Sequence, residues 1–552
     1  MRLEQLTKID QNANRLKDIV SILAKYGLAD WLKGINYQWL QSRLTSFDGQ
    51  RIANLTQDVR IRLALTELGT TFIKLGQMLS TRADLVGPEL ANELKHLQSN
   101  TPADAPEVVR ATIEAELGKP PEDLFDDFES AAMASASIGQ VHRARMRDGA
   151  AVVVKVQHAG IEQTVRQDLD ILGGLAELAE KFAEPLRAYQ PVATTAEFRR
   201  TLIRELDFAR EERNMQQFAR NFLDDETVHF PVSYTDTSAH RVLTMEMLDG
   251  ISVSDTQRLR ESNVDLNEFA LRGANMYLEM IFRDGFYHAD PHPGNLLVLA
   301  DGVVGVLDCG MVGRVDEQLR EDFEGMLLAA VNRDAEDLTD YVVRLGSVPP
   351  DFDRDALRAE IGEFVADYGG QSLEDFDLSG ALSAMTEIIR RYGVILPSSC
   401  SMLLKVLVML EGTSRQLDPK FSLSEVMQPY YVKAASRRLS PQKLWHRSRR
   451  TLRDWERLID TFPRDMTDIL TRVRRGTFDV NLQHRSLDAT VNRLVMGIIS
   501  AAMFIGSALL WSRDVRPMLW GYSVPGALGC MVAVVLGLRL LLAIKRSGDI
   551  EK

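Results

Sequence analysis

The stretch His288-Ala289-Asp290-Pro291-His292-Pro293-Gly294-Asn295, followed after a strand pair by Asp308-Cys309-Gly310, decides how this chain is read. A carboxylate, an amide oxygen five residues later and a second carboxylate beyond a short hairpin are the parts of a phosphoryl-transfer site. In that arrangement Asp290 orients or deprotonates an attacking hydroxyl, while Asn295 and Asp308 hold magnesium against the phosphates of a nucleotide. Asp301-Gly302, between the apolar runs 296–299 and 303–307, supplies the turn of the intervening hairpin. Any one piece is a weak signal; their order and spacing together are strong.

The spacing matches the catalytic loop and metal-binding motif of protein kinases, and the chain N-terminal to it continues the match. Val152-Val153-Val154-Lys155-Val156 has the form of the strand whose lysine pairs with nucleotide phosphates, the nucleotide being ATP or ADP. Before it, Ala134-Ser135-Ala136-Ser137-Ile138-Gly139-Gln140-Val141, running on to His142, aligns with the phosphate-covering pattern G-x-G-x-x-G-x-V but carries alanine at the first two glycine positions. Alanine does not freely adopt positive φ, so this loop should be stiffer and approach the phosphates differently, which disfavours a plain kinase. The lysine needs a carboxylate partner, and the run from Arg204 to Glu212 reads as the helix that provides it. Glu205 and Glu211 are six residues apart, about 600° of helix, and so point roughly 120° apart and cannot both face Lys155. Glu211 is the favoured partner, with Glu205 and Asp207 directed elsewhere and Glu212 the alternative. A strand over 241–248 leads into the lobe hinge, where Glu246 and Met247 would receive the adenine.

The remaining periodicities frame these motifs. Residues 1–115 read as a helical extension, with apolar stripes at Leu16, Ile19 and Leu23 and from Leu55 to Leu79. Within it Lys74 and Gln77 share one helix face, and Gly76 between them costs about 1 kcal/mol of helix stability, which implies close approach to another surface. Strands flank the turn Arg147-Asp148-Gly149, helix returns over 161–220, and 315–440 is helical again. Small strands, then a strand hairpin, then helices describe a two-lobed α+β body at 116–440 rather than an alternating parallel sheet. Three cysteines, Cys309, Cys400 and Cys530, exclude a disulfide framework, and a net charge of -13 gives no global footprint for nucleic acid. The N-terminal residues carry acids and no apolar run, unlike a secretory signal.

The mean hydropathy of -0.13 conceals a different material at the C-terminal end. Residues 494–511 and 517–538 are uncharged runs of about 18 and 22 residues, each near the ~20 needed to cross a bilayer as helix. Together over 494–544 they read as a transmembrane hairpin, with Arg539 near enough to the end to reach the headgroups. Arg472, Arg474, Arg475, Arg485 and Arg493 precede it and Lys545, Arg546 and Lys552 follow, against Arg513 and Arg516 in the turn; the positive-inside rule places the main body in the cytoplasm. Gly529, Ala533 and Gly537 form a small-residue stripe suited to a homodimer through the transmembrane helices or to packing on the first span. The segment 441–493, basic and bearing Trp445, Trp455 and Phe462, reads as an amphipathic linker at the membrane surface or as a solvated face.

Lys74-Leu75-Gly76-Gln77, the alanine-bearing loop ending Gly139-Gln140-Val141-His142, Glu205-Leu206-Asp207 and the 288–295 motif together resemble the UbiB/AarF atypical kinase-like family, over about residues 10–440, and the hairpin resembles its bacterial membrane-bound members. The resemblance implies an ATP-binding, kinase-like fold that supports ubiquinone biosynthesis from the bacterial inner membrane, with ATPase activity better supported than protein phosphorylation. It implies a membrane lipid or quinone precursor and ubiquinone-biosynthesis enzymes as partners. It also implies that Lys74 and Gln77 contact Glu205 and Asp207 and close the cleft where a protein kinase receives its peptide. One departure is Cys309, which stands where the metal motif usually has phenylalanine. Two rival readings are a conventional protein kinase with an open peptide cleft and a non-catalytic nucleotide-binding scaffold.

Overall fold

The computed structural model describes residues 13–28, 55–97, 101–182, 190–349, 352–368, 377–438, 487–513, 515–519 and 522–546. The chain divides into two compact units, Met1–Lys443 and Leu444–Lys552.

In the first unit, strands Asp127–Phe128, Ala134–Ser135, Gly139–Arg145, Ala151–Gln157 and Val242–Glu246 form one antiparallel sheet, with Ala151–Gln157 between Gly139–Arg145 and Val242–Glu246. Alternation sets its two faces. Val152, Val154 and Val156 are buried with Val242 against Val109 and Ile113 of the helix Pro106–Leu117, whereas Val153 joins Leu243 and Met245 in the large central core. Lys155, paired with Val141 and Leu243, therefore lies on the central face, and the register that buries three valines outside is what aims it inward.

The second lobe carries a four-stranded sheet in the order Val228–His229, Val304–Val306, Leu296–Val298, Ile251–Ser252, and a two-stranded pair of Phe286–His288 with Val312–Arg314. The expected hairpin around Asp301-Gly302 forms, with Asp301 at φ 57 and Gly302 at φ 68. The helix Leu266–Glu279 starts at Asp265, whose side chain accepts from the N–H groups of Asn267 and Glu268. Helices Glu317–Val331, Ala335–Leu345, Arg354–Tyr368, Leu378–Arg391, Ser398–Leu417 and Leu423–Arg438 complete the lobe.

The N-terminal helices Ala13–Lys25, Gln57–Leu68 and Thr70–Leu79 share a core of Ile19, Leu65, Leu68, Phe72, Ile73, Leu94 and Leu97 that also takes in Ile171 of the helix Ile161–Phe182. Gly76 is closely packed in this core: a methyl group there would stand 2.2 Å from a Leu97 methyl and 2.9 Å from one of Leu65. The expected helix over 161–220 is three helices, Ile161–Phe182, Pro191–Glu205 and Phe208–Asn221. The break between the last two falls at Leu206 and Asp207, the latter extended at φ -98 and ψ 93.

In the second unit, helices Leu487–Ser512 and Val524–Arg546 pack on each other. The second begins at Val524 and not at 517: Met518–Leu519 and Tyr522–Ser523 pair as short strands, and the Ser523 hydroxyl accepts from the Gly526 N–H at 3.4 Å as a helix cap, with Pro525 in the first turn. The 18-residue windows in 494–512 and 524–541 are each only 11% buried, with Leu494, Ile498, Ile505, Met531 and Leu541 all more than half exposed. Core helices of a soluble fold bury such residues, so the hairpin fits a membrane anchor. The small-residue stripe packs on the first span: a methyl at Gly529 would meet Ser507 Oγ at 2.1 Å, Ala533 is 3% exposed, and Ser500 Oγ donates to its carbonyl at 2.9 Å. The expected basic linker, with Trp445, Trp455, Phe462, Arg472, Arg474, Arg475 and Arg485, lies outside the described residues over 439–486.

Candidate active site

Lys155 and Glu211 meet in the cleft between the lobes. The ammonium donates to both carboxylate oxygens at 2.9 and 2.8 Å, lies 5.0 Å from the Phe208 ring centre, and faces Asp308 Oδ2 at 3.6 Å. Burial alone would lower the Lys155 pKa, but Asp308 and Glu211 more than offset it, so the lysine stays protonated. Burial pushes the Glu211 carboxyl up against the opposing pull of Lys155. Asp308 feels burial in the same sense, yet Lys155, the Gly310 N–H, His288 and Lys74 bring it down to about 2. Glu212, the alternative partner, instead accepts from Thr235 Oγ1 at 2.6 Å and Gln216 Nε2 at 3.2 Å. Glu211 and Glu205 occupy different helices, so the single-helix geometry that separated them does not apply; the kink at Leu206 and Asp207 does the separating.

The catalytic-loop candidates are held by His288. Its Nδ1 accepts from the Asp290 N–H at 3.1 Å, which fixes the proton on Nε2, the nitrogen that bonds the Asp308 carbonyl. One buried imidazole thus ties the two motifs together. Asn295 Nδ2 donates to the Asp290 carbonyl at 3.1 Å and to its Oδ2 at 3.2 Å. The Asn295 amide oxygen is left without a hydrogen bond among the described residues. Asp308 Oδ1 accepts from the Gly310 N–H at 2.8 Å. One amide oxygen and one carboxylate suit magnesium, which is usually held by one or two protein groups with substrate phosphates and water completing its shell. The described residues contain no group of three or more His, Cys, Asp or Glu that could hold a metal ion. Cys309 is fully buried, its carbonyl takes the Asn214 amide at 3.0 Å, and burial pushes its thiol pKa up; a reactive thiolate is the opposite case.

The alanine-bearing loop is a tight hairpin. Ala134 and Ser135 pair with Val141 and Gln140, and the Ala136 N–H donates to the Gly139 carbonyl at 2.9 Å. Neither alanine adopts a positive φ, so the loop turns without the conformations glycine would have allowed. His158 Nε2 bonds the Ala136 carbonyl at 3.0 Å and Nδ1 faces Asp104 at 3.2 Å, bracing the loop from behind. Two expected loop contacts are corrected. Gln140 and His142 point away from the cleft, because their register partners are Val156 and Val154 on the outer face; they bond each other at 2.8 Å, and also the Asp104 N–H and the Glu129 carbonyl. Val141, opposite Lys155, is the residue on the cleft face, and Ile138 and Ser137 are buried in the turn.

At the hinge the Glu246 side chain and the Met247 N–H are both engaged within the protein. Glu246 pairs with Val152 and so lies on the outer side, its carboxylate accepting from His229 Nε2 at 2.9 Å and the Val232 N–H at 3.1 Å. The Met247 N–H donates to the Ala151 carbonyl at 3.1 Å.

Of the four residues expected to close the cleft, two meet. Lys74 and Glu205 form an ion pair at 2.8 Å, both largely buried, with Glu205 and Asp308 outweighing the burial that would lower the lysine. Thr70, on the same helix as Lys74, donates from Oγ1 to the Ser137 carbonyl at 3.2 Å, joining that helix to the alanine-bearing loop. Gln77 instead donates to the Leu97 carbonyl at 3.3 Å. Asp207, turned outward by the kink, faces His240 Nδ1 at 3.2 Å and Arg213 at 3.3 Å. One charged residue of the site had no signal in the sequence: Lys405 of Ser398–Leu417, 3.9 Å from Asp290 Oδ1, reads there as one more lysine on a mainly apolar helix.

Residues 96–342 match the ABC1 atypical kinase-like domain, 361–422 the UbiB helical domain, and 481–546 the ABC1/UbiB kinase-like C-terminal domain. A protein of Aeromonas salmonicida named "Probable protein kinase UbiB" is 31% identical, with 93% of this chain and 96% of that protein aligned. An uncharacterized Clostridium pasteurianum protein encoded in a hydrogenase 1 5′ region is 30% identical over 97% of this chain and 99% of its own length. A solved Mycobacterium tuberculosis structure, Rv3197 with erythromycin, has a TM-score of 0.46 and 22% identity, covering 63% of this chain and 85% of that one. The near full-length match to these relatives and the three successive domains in order lead to one conclusion: the chain belongs to the ABC1/UbiB family of atypical kinase-like proteins.

Proposed function

We propose that the chain is a membrane-anchored, ATP-dependent phosphotransferase or ATPase that supports ubiquinone biosynthesis at the inner face of a bacterial inner membrane. The observation that carries the reading is the charged centre formed by Lys155, Glu211 and Asp308, with Asp290 and Asn295 joined to it through His288. Lys155, held by Glu211, binds the phosphates of ATP, and the braced alanine-bearing loop lies over them. Asn295 and Asp308 hold the magnesium, which when bound neutralises charge on the phosphate oxygens. Asp290 accepts the proton of a water or hydroxyl as its oxygen bonds to the terminal phosphorus and the bond to ADP breaks.

The Lys74–Glu205 pair and the Thr70–Ser137 contact speak against an exogenous peptide substrate, because the helix that carries Lys74 and Thr70 is tied to both cleft-lining elements. They favour water, a small molecule or a lipid as acceptor. The arginines before the hairpin and the Lys545 and Arg546 pair after it support a cytoplasmic body. The test is ATP consumption by the purified full chain, with and without membranes and quinone precursors. Stimulation by membranes is expected, and unchanged turnover and quinone content in Asp290→Asn and Lys155→Ala would overturn the reading.

A further inference from the structure

Among the described residues Lys155, Lys74 and Lys405 stand beside the carboxylates of the cleft, and only the first two are neutralised by close contact. Lys155 and Lys74 each stand 2.8 Å from a carboxylate oxygen, the hydrogen-bonding distance of a closed ion pair. Lys405 stands 3.9 Å from Asp290 Oδ1 and makes no hydrogen bond among the described residues, although its side chain is only 21% exposed. Asp290 has not closed on it because its other oxygen is taken by Asn295 Nδ2 at 3.2 Å and its backbone is fixed by His288. The position of Lys405 is set from outside the motif. It lies on the helix Ser398–Leu417, whose Thr413 Oγ1 donates to the Pro291 carbonyl at 3.4 Å, so one helix approaches the 288–295 loop at two points. Burial lowers the Lys405 pKa and Lys95 and Lys74 act in the same sense, while Asp290 and, more weakly, Glu205 oppose them; among the described residues no carboxylate closes on the ammonium to hydrogen-bonding distance. A mostly buried ammonium with its donors unspent beside a reacting carboxylate is poised for an added anion.

We propose that Lys405 is a catalytic residue of the phosphoryl-transfer site, binding the terminal phosphate of ATP and holding it against Asp290. The inference rests on the phosphotransferase reading above and adds a residue from the helical domain to it. ADP lacks the phosphate concerned, so Lys405 discriminates between the two nucleotides, whereas Lys155 pairs with phosphates that both carry. As the bond to ADP breaks, the ammonium remains on the transferred group's oxygens and offsets charge there.

The test measures Kd for ATP and for ADP by calorimetry, with magnesium, on the full chain in detergent micelles. Lys405→Met is expected to weaken ATP about 10- to 100-fold, the range for one hydrogen bond to a charged group, and to leave ADP within about twofold. Lys405→Arg should recover part of the ATP preference, and Lys155→Met should weaken both nucleotides. Both constants come from the same sample, and an unfolded fraction changes the two apparent Kd values by the same factor, so partial misfolding does not imitate a change in their ratio. If the wild-type chain binds neither nucleotide, the phosphotransferase reading itself falls. If it binds ATP and Lys405→Met keeps the wild-type ratio of the two constants, that reading stands and this assignment is overturned. An unchanged ratio with altered binding to anionic phospholipid vesicles would assign Lys405 to a headgroup instead, and would equally refute it.

Discussion

Replacing Lys155 by methionine removes the one cation that sits between two buried or half-buried carboxylates. Its ammonium bonds both oxygens of Glu211, whose side chain is 5% exposed, and faces Asp308 at 3.6 Å. Breaking a buried pair by removing one partner costs about 3–5 kcal/mol, because the other charge stays buried without compensation. The strand Ala151–Gln157 and the helix Phe208–Asn221 are joined through this pair, so the cost should appear as easier opening of those two elements. At 1.36 kcal/mol per tenfold, protection of their amides from hydrogen exchange should fall about 10²- to 10⁴-fold. The pH dependence identifies the cause. Burial already holds the Glu211 carboxyl above its ordinary value, and loss of Lys155 raises it further. A folded-state pKa above the unfolded one favours the protonated folded protein, so stability is retained below the unfolded value and lost as pH rises through the folded one. The defect of Lys155→Met should therefore be largest at neutral and alkaline pH and shrink toward pH 5. Adding Glu211→Gln should flatten that dependence. The measurement is exchange by mass spectrometry on the full chain in detergent with EDTA and no nucleotide, corrected for the intrinsic rate. A loss of protection that is uniform across pH, or unaffected by Glu211→Gln, would refute the charge argument.

Other perturbations test the remaining supports. Gly139→Ala places a methyl 2.6 Å from the Val156 carbonyl and 3.2 Å from the Phe208 ring, so it should displace the loop, destabilise by about 1–3 kcal/mol and weaken ATP binding in a nucleotide titration. Lys74→Ala leaves Glu205 buried and should free the helix Thr70–Leu79, seen as faster limited proteolysis near residue 80 and quicker nucleotide exchange in stopped flow; unchanged rates would show that Thr70 and the apolar core hold that helix alone. Gly529→Leu drives a branched side chain into Ser507, which a methyl alone would meet at 2.1 Å; cysteine cross-linking between the two C-terminal helices should fall. Deleting 487–552 should move the chain from the membrane to the soluble fraction on cell fractionation, and retention in membranes would place the anchor elsewhere.

The residues legible in the sequence are those whose relation is local or fixed by a strand register. Asp290, Asn295 and Asp308 lie within one loop, one hairpin and the residues just after it, so spacing carries their geometry. The same register argument was available for Gln140 and His142: a hairpin closing at Gly149 sets Val141 opposite Lys155 and sends both neighbours of Val141 to the outer face. Reading the pattern as a loop as far as His142 puts both on the cleft, whereas strand alternation starts at Gly139. The start of the second span was likewise encoded, in Ser523 as cap and Pro525 in the first turn, but an uninterrupted apolar run outweighed it. The kink at Leu206 and Asp207 is different, for no glycine or proline marks it. It is fixed from a distance, by Gln157 Nε2 donating to the Leu206 carbonyl at 2.9 Å and the Phe208 N–H to the His240 carbonyl at 3.0 Å. Lys405 belongs to this second kind. It reaches Asp290 only because a helix more than 100 residues further along packs beneath the loop, and its own neighbours Leu403, Leu404, Val406 and Leu407 announce nothing but a core. A one-dimensional pattern therefore finds the parts of a site that one supersecondary unit supplies and misses those brought by tertiary packing. In this chain the missed parts come from helices outside the motif-bearing hairpins: Thr70 from Thr70–Leu79 and Lys405 from the segment that matches the UbiB helical domain.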